Sequence, residues 1–470
     1  MRFNNINMTR LMSLTAVSAL ALSLTGCGIY TKYENKQEVP DGLFGEAGAQ
    51  SSAQSDNQQP LSQIAWRDVF TDPQLQQIID KVLTDNADLQ VAQLNIEMAQ
   101  AQFKASKLAF APSFAFAPNG ALSKYNVDGA EVAKTYTIPV TMQWQIDAFA
   151  SLRNAKRANE ASLHAAEDAR QATQASLIAN TASIYYTLLM LDRQLELADS
   201  TAQAWEQTVE TMKSMMKAGM ANQASVSQME GTYYSILTQV ATLKESINSV
   251  QNALCLLMNQ PSHRIDRGRL SDQALNMPIS AGLPLDIISN RPDIRAQERS
   301  LEQAFYSANQ SRSAYYPQIT LSGQLGWTNM IGSVIMNPGK FFWQAAASLV
   351  QPIFQNGQIK ARVKVAEAQQ KQAELQWTKA VLSAGNEVNE ALEAVQTAQT
   401  KAELYDKQVE ALKTAYEATE LTMRYGSTTY LEVLTAKQSL LSAQLNQTQN
   451  IYDQLAAAIT LYQAVGGGSL

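Results

Sequence analysis

Two regions of the chain alternate between apolar and polar residues with a period of two. In the segment YTIPVTMQWQID, residues 136–147, the apolar side chains share one parity and most polar side chains share the other. The segment from Gln318 to Trp327 alternates in a similar way. A period of two predicts β-strands with one apolar and one polar face. We expect four strands, near residues 113–126, 134–147, 317–329 and 340–351.

Alternating strands of this kind fit either of two structures. A transmembrane barrel turns its apolar face to lipid and its polar face to water, whereas a soluble hairpin buries the apolar face. Pro139 is unfavourable in both, because proline has no N–H to donate to a neighbouring strand. Membrane barrels need at least about eight strands, so four strands would close only with sister chains. Two copies would supply eight strands and three would supply twelve, and the pattern does not choose.

Most of the remaining chain has the composition of long helices. Residues 140–260 and 353–470 contain no proline, residues 153–215 contain no glycine, and Gly385 is the only glycine in 358–425. Because proline and glycine disfavour helix interiors, these stretches predict helices of about 65 residues, on the order of 100 Å long. Glycine-bearing turns around Gly219 and Gly426 are expected to end them, with a shorter helix running back from each.

The chain also resembles itself at a shift of 205 positions. This shift aligns Asp88 with Asp293 and Pro112 with Pro317, and each copy continues into an alternating region, a long helix and a glycine turn. The same order in both copies predicts two tandem halves.

The N-terminus has the pattern of a secretory signal. Arg2 and Arg10 precede an uncharged run at 11–24 that is too short to span a bilayer as a helix. The run ends in LTGC, which resembles the lipobox of bacterial lipoproteins and implies acyl chains on Cys27. A chance cysteine beside an ordinary cleavage site is the alternative. Gly28, rather than aspartate, follows Cys27, and in the lipoprotein family this favours the outer membrane.

Little in the sequence favours enzyme chemistry. Cys255 is the only other cysteine and is expected in the core, and His164 and His263 lack partners at metal-ligand spacing. No glycine-rich phosphate loop or nucleophile constellation is present in the sequence. The formal net charge of −6 does not favour nucleic-acid binding. We therefore expect no catalytic residue, no metal site and no cofactor other than the acyl and diacylglyceryl groups on Cys27.

Four further stretches carry a family resemblance. They are RPDIRAQERSLEQAFYSANQSRSAYYPQITLSG at 291–323, PIFQNGQIKARV at 352–363, RYGSTTYLEVLTAKQSLLSAQ at 424–444 and LYQAVGGGS at 461–469. The chain from Trp66 onward resembles the TolC-like outer-membrane efflux proteins, in particular their NodT-type lipoprotein branch. From the residues alone, Arg291, Pro292 and Asp293 form a helix start, since proline suits the first turn and an acid suits the positive helix end.

The resemblance implies a fold and a function. It implies a mainly α-helical chain with a transmembrane β-barrel, in which a homotrimer forms a twelve-stranded barrel that continues into a long α-helical barrel in the periplasm. The complex would be the passive exit channel of a tripartite efflux or type I-like secretion system, with a periplasmic adaptor and an inner-membrane transporter as partners. The expected domains are a signal peptide at 1–26, a lipid anchor and N-terminal equatorial segment at 27–85, a first repeat at 86–260 with a β-hairpin at 113–147, an equatorial linker at 261–290, a second repeat at 291–465 with a β-hairpin at 317–351, and a C-terminal tail at 466–470.

The resemblance also implies a gate at the periplasmic end. Glu432 aligns with an inward-facing aspartate of the family, whereas Thr435 and Ser225 stand where the family has further aspartates. Met423 and Thr428 replace the tyrosine and arginine of the family's closing contacts.

With these replacements the closed state would depend on apolar contacts of Met220, Met423 and Tyr425. The residues expected to contact the adaptor are those of the turns, namely Gly219, Met220, Gly426 and Ser427. The competing interpretation is a lipid-anchored periplasmic coiled-coil scaffold without a pore, in which the alternating strands form a soluble hairpin cap.

Overall fold

The computed structural model describes residues 28–35, 43, 64–124, 131–275, 290–332, 334–426 and 430–468. Several predicted features lie outside these ranges: the signal peptide at 1–26, Cys27, part of the equatorial linker, Ser427, Thr428 and the last two residues of the tail. The described helices are α1 (Trp66–Val69), α2 (Pro73–Asp85), α3 (Ala87–Leu108), α4 (Ser151–Lys217), α5 (Gln223–Leu257), α6 (Pro292–Arg312), α7 (Gln358–Arg424) and α8 (Tyr430–Ala464). The strands are β1 (Ser113–Phe116), β2 (Asn119–Ser123), β3 (Ala133–Ile146), β4 (Gln318–Ile331) and β5 (Val334–Val350).

The expectation of a mainly helical chain with a small amount of sheet is confirmed. Helices α4 and α7 each have 67 residues, and the return helices α5 and α8 each have 35. Among the described helices, none is both long and apolar enough to cross a membrane.

Polar side chains at specific positions define where several helices begin. Asp72 caps α2 by accepting a hydrogen bond from the Gln74 N–H at 2.8 Å, and Pro73 follows at the first helical position. At the start of α4, the two carboxylate oxygens of Asp147 accept hydrogen bonds from the backbone N–H groups of Leu152 and Arg153 at 2.9 and 3.0 Å. These contacts satisfy N–H groups that have no partner within the helix.

The strands form one antiparallel sheet in the order β1–β3–β4–β5, and β2 also pairs with β3. The first predicted strand is therefore two short strands, β1 and β2, on the same edge of β3. Pro118 separates them and cannot donate to the ladder, whereas the neighbouring Ala117 N–H still reaches the Pro139 carbonyl at 3.2 Å.

The second hairpin is longer than the sequence predicts. β5 begins at Val334 rather than near 340, because an irregularity between Thr328 and Met330 shifts the register and lets Ile331 pair with Val334. Pro139 lies inside β3 opposite Gly326. A Cβ atom on Gly326 would overlap the Ile138 carbonyl oxygen, so only glycine permits this close pairing.

The chain divides into two compact units. One comprises the sheet with the helix segments at 95–166 and 296–377 and residues 28–35. Its helices have a small buried cluster that contains Ile96, Ala99 and Leu163.

The other unit comprises residue 43 and the described residues of 64–94, 167–295 and 378–468. Its larger core packs α2 residues such as Leu75 and Ile79 with Tyr185 and Leu188 of α4 and with Cys255. The expectation that Cys255 is a core residue is confirmed, since the residue is 1% exposed.

Candidate functional site at the helical turns

The first helical turn joins α4 to α5 at Gly219. The φ angle of Gly219 is +75°, in the left-handed region that favours glycine. The Gly219 N–H donates to the Met216 carbonyl at 3.0 Å and the Met220 N–H donates to the Met215 carbonyl at 2.9 Å. This is the hydrogen-bond pattern of a Schellman motif, so the turn has a defined geometry.

Ser225 lies just after this turn, at the start of α5. The side-chain oxygen of Asn222 accepts hydrogen bonds from the backbone N–H of Ser225 at 2.9 Å and from its hydroxyl at 3.0 Å. Asn222 is therefore the N-cap of the helix, and Ser225 is part of the cap. The nearby Met220 is 69% exposed.

The second turn follows α7 and has Gly426 at its described end. Gly426 has a φ angle of +76°, and its N–H donates to the Met423 carbonyl at 2.9 Å. Tyr425 is 81% exposed and Met423 is half-buried. Glu432 and Thr435 are both exposed on the first turns of α8. The gate prediction itself stays a prediction.

An apolar cluster brings the first residues of α5 and α8 into one packed group. Val226, which follows Ser225, and Leu434, which lies between Glu432 and Thr435, belong to the same buried cluster. The other buried members are Ala202, Trp205, Val209, Met212, Met229 and Ile236. The structure thus brings the two α-helical hairpins together beside the predicted gate residues, and it does so through apolar side chains.

An ion pair links the two helices near the first turn. The Lys213 ammonium of α4 lies 3.1 Å from the carboxylate of Glu230 on α5 and 3.1 Å from that of Glu210. Hydrogen bonds to Glu210 and Glu230 raise the pKa of Lys213. Sequence reasoning did not identify this link, because a charged helix position gives no sign of its partner on another helix.

The second hairpin carries charges of exchanged sign at the corresponding positions. Glu420 of α7 and Lys437 of α8 lie at the same distances from Gly426 in sequence as Lys213 and Glu230 lie from Gly219. Burial lowers the pKa of Lys437, and the nearby carboxylate of Glu420 opposes that shift.

Arg291 forms a buried joint that the sequence did not predict. It is 7% exposed, and its guanidinium lies 2.7 Å from the carboxylates of both Asp293 and Glu387 and donates to the Ala464 carbonyl at 3.1 Å. The segment with Arg291 therefore starts α6 and also holds α7 and the end of α8. Burial would lower the pKa of Arg291, but the hydrogen bonds and charges of Asp293 and Glu387 outweigh burial and raise it.

Asn86 makes the corresponding joint in the first half of the chain. Its side-chain N–H donates to the Leu257 carbonyl at the end of α5 at 2.9 Å, and its oxygen accepts from the N–H groups of Asp88 and Leu89. The Asn86 amide thus connects the start of α3 to the end of α5, as the Arg291 guanidinium connects the start of α6 to the end of α8.

The family model of the outer membrane efflux protein matches residues 78–260 and 283–467. The cation efflux system protein CusC of Escherichia coli O6:H1 is 26% identical over 452 residues, which cover 96% of this chain and 97% of CusC. The probable outer membrane lipoprotein SilC of Salmonella typhimurium is 26% identical over 408 residues, which cover 86% of this chain and 88% of SilC.

A solved structure shows the same fold. The open state of the MtrE outer membrane channel of Neisseria gonorrhoeae matches with a TM-score of 0.80 and 26% identity, and the match covers 93% of this chain and 97% of MtrE. Because the family model matches most of the chain in two consecutive segments and the relatives match along nearly its whole length, this chain belongs to the outer membrane efflux protein family.

Proposed function

We propose that this outer membrane efflux protein works as a homotrimer, in which three sheets close one barrel of twelve strands. The main observation that supports this proposal is the strand order of the sheet. β1 and β2 occupy one edge in line and β5 occupies the other, so each chain offers the equivalent of four strands with two edges unpaired within the described residues. An unpaired edge in hydrocarbon leaves its backbone groups without partners, so closure with sister chains is required.

The faces of the sheet support a position in lipid. Phe116, Val140, Leu325 and Trp343 are paired in one row across the four strands, and they are 68%, 39%, 53% and 75% exposed. Directly paired residues lie on the same face, so the row is one apolar strip.

The adjacent polar row lies on the opposite face. Thr141, Gln324 and Gln344 are paired across β3, β4 and β5, and the Gln324 side-chain N–H donates to the Gln344 oxygen at 2.7 Å. An apolar outer face and a polar lumen are what a channel in the outer membrane needs. The scaffold alternative leaves the apolar strip without a partner.

The oligomer and the pore can be tested together. We expect the detergent-purified mature protein to have three times the mass of one chain, measured by light scattering with the detergent contribution subtracted, and to give discrete conductance steps in planar bilayers. A monomer that gives no conductance at any protein concentration would refute the channel and favour the scaffold.

The proposed anchor is a set of acyl chains on Cys27 in the outer membrane. The lipobox resemblance supports it, as does the description of SilC as an outer membrane lipoprotein. Replacing Cys27 by serine is expected to abolish palmitate labelling, and labelling that persisted would refute the assignment. Several acyl chains would hold the protein stably, whereas one chain binds only marginally.

The two α-helical hairpins are proposed to form the periplasmic part of the conduit, with its gate at the turns. The identical lengths of the two long helices and of the two return helices support two tandem repeats. Glu432, Thr435, Thr428, Met423, Tyr425 and Ser225 are the proposed constriction residues.

The turns are also the proposed docking site of a periplasmic adaptor, which connects the channel to an inner-membrane transporter. Gly219, Met220, Gly426 and Ser427 are the proposed contact residues. A photo-crosslinking amino acid at Met220 should capture the adaptor in cells, whereas the same amino acid at Tyr234, which is 62% exposed farther along α5, should not. Capture from both positions, or from neither, would contradict docking at the turns.

A further inference from the structure

Lys340 is the only charged residue on the polar face of the sheet among the paired residues of the described strands. Residues two positions apart on a strand point to the same face. The polar face is therefore the row of Thr141, Gln324 and Gln344 together with the rows at even distances from it. Its side chains are mainly hydroxyls, amides and alanines. The face thus carries one positive charge and is otherwise neutral.

The immediate neighbours of Lys340 do not neutralise this charge. Lys340 pairs with Thr328, which pairs with Thr137, and the two threonine hydroxyls lie 3.1 Å apart. Lys340 is exposed, and none of the ion pairs between described residues involves it. Its full charge therefore acts on the space in front of the polar face.

Lys340 lies near the end of the sheet that is remote from the long helices. It is ten residues before Val350, where β5 ends and the chain continues toward α7. Ten residues span about 34 Å along a strand, or about 26 Å along the axis of a barrel whose strands are tilted by about 40°. This length matches the height of about 25 Å of the apolar band of a membrane barrel. Since α7 is proposed to lie in the periplasm, Lys340 is at the extracellular edge of this band.

An aromatic pair on the apolar face marks the same level. Trp327 and Phe341 precede Thr328 and follow Lys340 in their strands, and their ring centroids lie 5.2 Å apart. They are 55% and 54% exposed. Aromatic residues of membrane barrels concentrate at the two interfaces between lipid and water. This pair therefore also indicates that Lys340 is level with the outer interface.

We infer that three Lys340 side chains form a ring of positive charge at the extracellular mouth of the channel, which favours anionic solutes over cations there. The inference rests on the proposed trimeric barrel. Twelve strands about 4.8 Å apart and tilted by about 40° give a barrel radius of about 12 Å. The four-carbon stem of each lysine carries its ammonium from this wall toward the axis. An ion on the axis is then within about one Debye length, ~10 Å at 0.1 M salt, of all three charges.

The charge at the mouth can be measured with a cysteine at Gln344, which lies four residues from Lys340 on the same face. The full-length protein with Gln344→Cys, in isolated outer membranes, is treated separately with an anionic and a cationic methanethiosulfonate reagent. Mass spectrometry of the peptide that contains position 344 gives each rate, which is divided by the rate of the same reagent with a small free thiol.

The ratio of the anionic to the cationic rate should fall about threefold when Lys340 is also replaced by glutamine. Position 344 is about 13 Å from Lys340 along the strand, within the Debye length of about 30 Å at 0.01 M salt. In about 1 M salt the Debye length is about 3 Å, and the preference for the anionic reagent should disappear even with Lys340 present.

Lys134 provides the matched control. It is also exposed and lies near the same end of the sheet, but it pairs with Leu122 on the apolar face. Lys134→Gln should leave the ratio of the two rates unchanged. Lys340→Arg keeps the positive charge and should keep the ratio that is measured with Lys340.

The outcomes separate the ring from the barrel on which it rests. Equal ratios with Lys340 and with Lys340→Gln, in a protein that light scattering shows to be trimeric, would overturn the ring and leave the barrel standing. A protein that is not trimeric would refute the barrel and the ring with it. Should Lys340→Gln fail to assemble, the salt dependence with Gln344→Cys alone decides. A ratio that is the same at low and at high salt would then overturn the inference.

Discussion

Gly385 is the only glycine inside α7, and we predict that replacing it with alanine destabilises the protein. In an open helix interior this change gains about 1 kcal/mol of stability, because alanine has the higher helix propensity. At Gly385 the new Cβ would lie 2.6 Å from Cγ and 2.9 Å from the carbonyl oxygen of Leu43. Ordinary carbon–carbon contacts are about 3.5–4.0 Å, so either Leu43 or the helix has to move.

The contacts of Leu43 set the size of the effect. Leu43 is 9% exposed, and its carbonyl accepts a hydrogen bond from the Asn389 side chain at 3.3 Å. Displacing a buried leucine costs about 1.5–3 kcal/mol and losing the hydrogen bond about 0.5–1.5 kcal/mol. After the gain in helix propensity is subtracted, Gly385→Ala should lower the free energy of unfolding by about 1–3.5 kcal/mol.

Guanidinium unfolding followed by circular dichroism measures this change, and Gly231 provides the matched control. Gly231 lies inside α5, and a Cβ added to it meets no other atom within 4 Å. Gly231→Ala should therefore stabilise the protein by about 1 kcal/mol. In a Leu43→Ala background, Gly385→Ala should become less destabilising, because the contact with Cγ is removed and only the contact with the backbone carbonyl oxygen at 2.9 Å is left.

A clash between Gly385→Ala and Leu43 is refuted if Gly385→Ala stabilises the protein with Leu43 present as much as Gly231→Ala does. It is also refuted if the Leu43→Ala background leaves the effect of Gly385→Ala unchanged, since a cycle of the two substitutions would then detect no coupling.

Three further perturbations have defined outcomes. Arg291→Met should cost about 2 kcal/mol in urea unfolding at pH 7, because it leaves two half-exposed carboxylates without their buried partner. Burial would raise the pKa of Asp293, but Arg291 outweighs burial and holds this pKa below its usual value. The wild type should therefore lose the stability that the ion pair contributes as the pH falls through the lowered pKa. The variant has no such ion pair and should not show this loss. Lys213→Glu should raise hydrogen exchange near the first turn several-fold, because like charges would then face each other at Glu230. Gly326→Ala should prevent assembly of the proposed trimer, measured by light scattering, because its Cβ would overlap the opposite strand.

Two of these perturbations have a control variant, and the third has an outcome that would contradict it. The double charge exchange Lys213→Glu with Glu230→Lys should restore slow exchange, and an exchange rate as fast as that of Lys213→Glu alone would show that the link is unimportant. Gly120→Ala places a Cβ in ordinary contact, 3.5 Å from the Thr135 carbonyl oxygen, and should leave the trimer intact. If the difference in free energy of unfolding between the wild type and Arg291→Met did not change with pH below pH 5, the proposed contribution of the Asp293 pKa would be contradicted.

Local patterns in the sequence determined the secondary structure well. The absence of proline and the scarcity of glycine predicted helices over 153–215 and 358–425, and α4 covers the first range whereas α7 covers all but the last residue of the second. The glycines at 219 and 426 predicted the turns because only a residue that tolerates positive φ ends a helix in this way. The alternation of apolar and polar residues located the strands, because successive side chains of a strand point to opposite faces of the sheet.

Contacts between residues far apart in sequence were decided only by the tertiary structure. The partners of Arg291, the contact between Asn86 and the end of α5, and the contact between Gly385 and Leu43 are all of this kind. Local periodicity shows which face of an element is apolar, but it carries no information about which distant residue packs there. That choice depends on packing and charge complementarity in three dimensions, and for this reason the elements could be derived from the sequence whereas the joints between them could not.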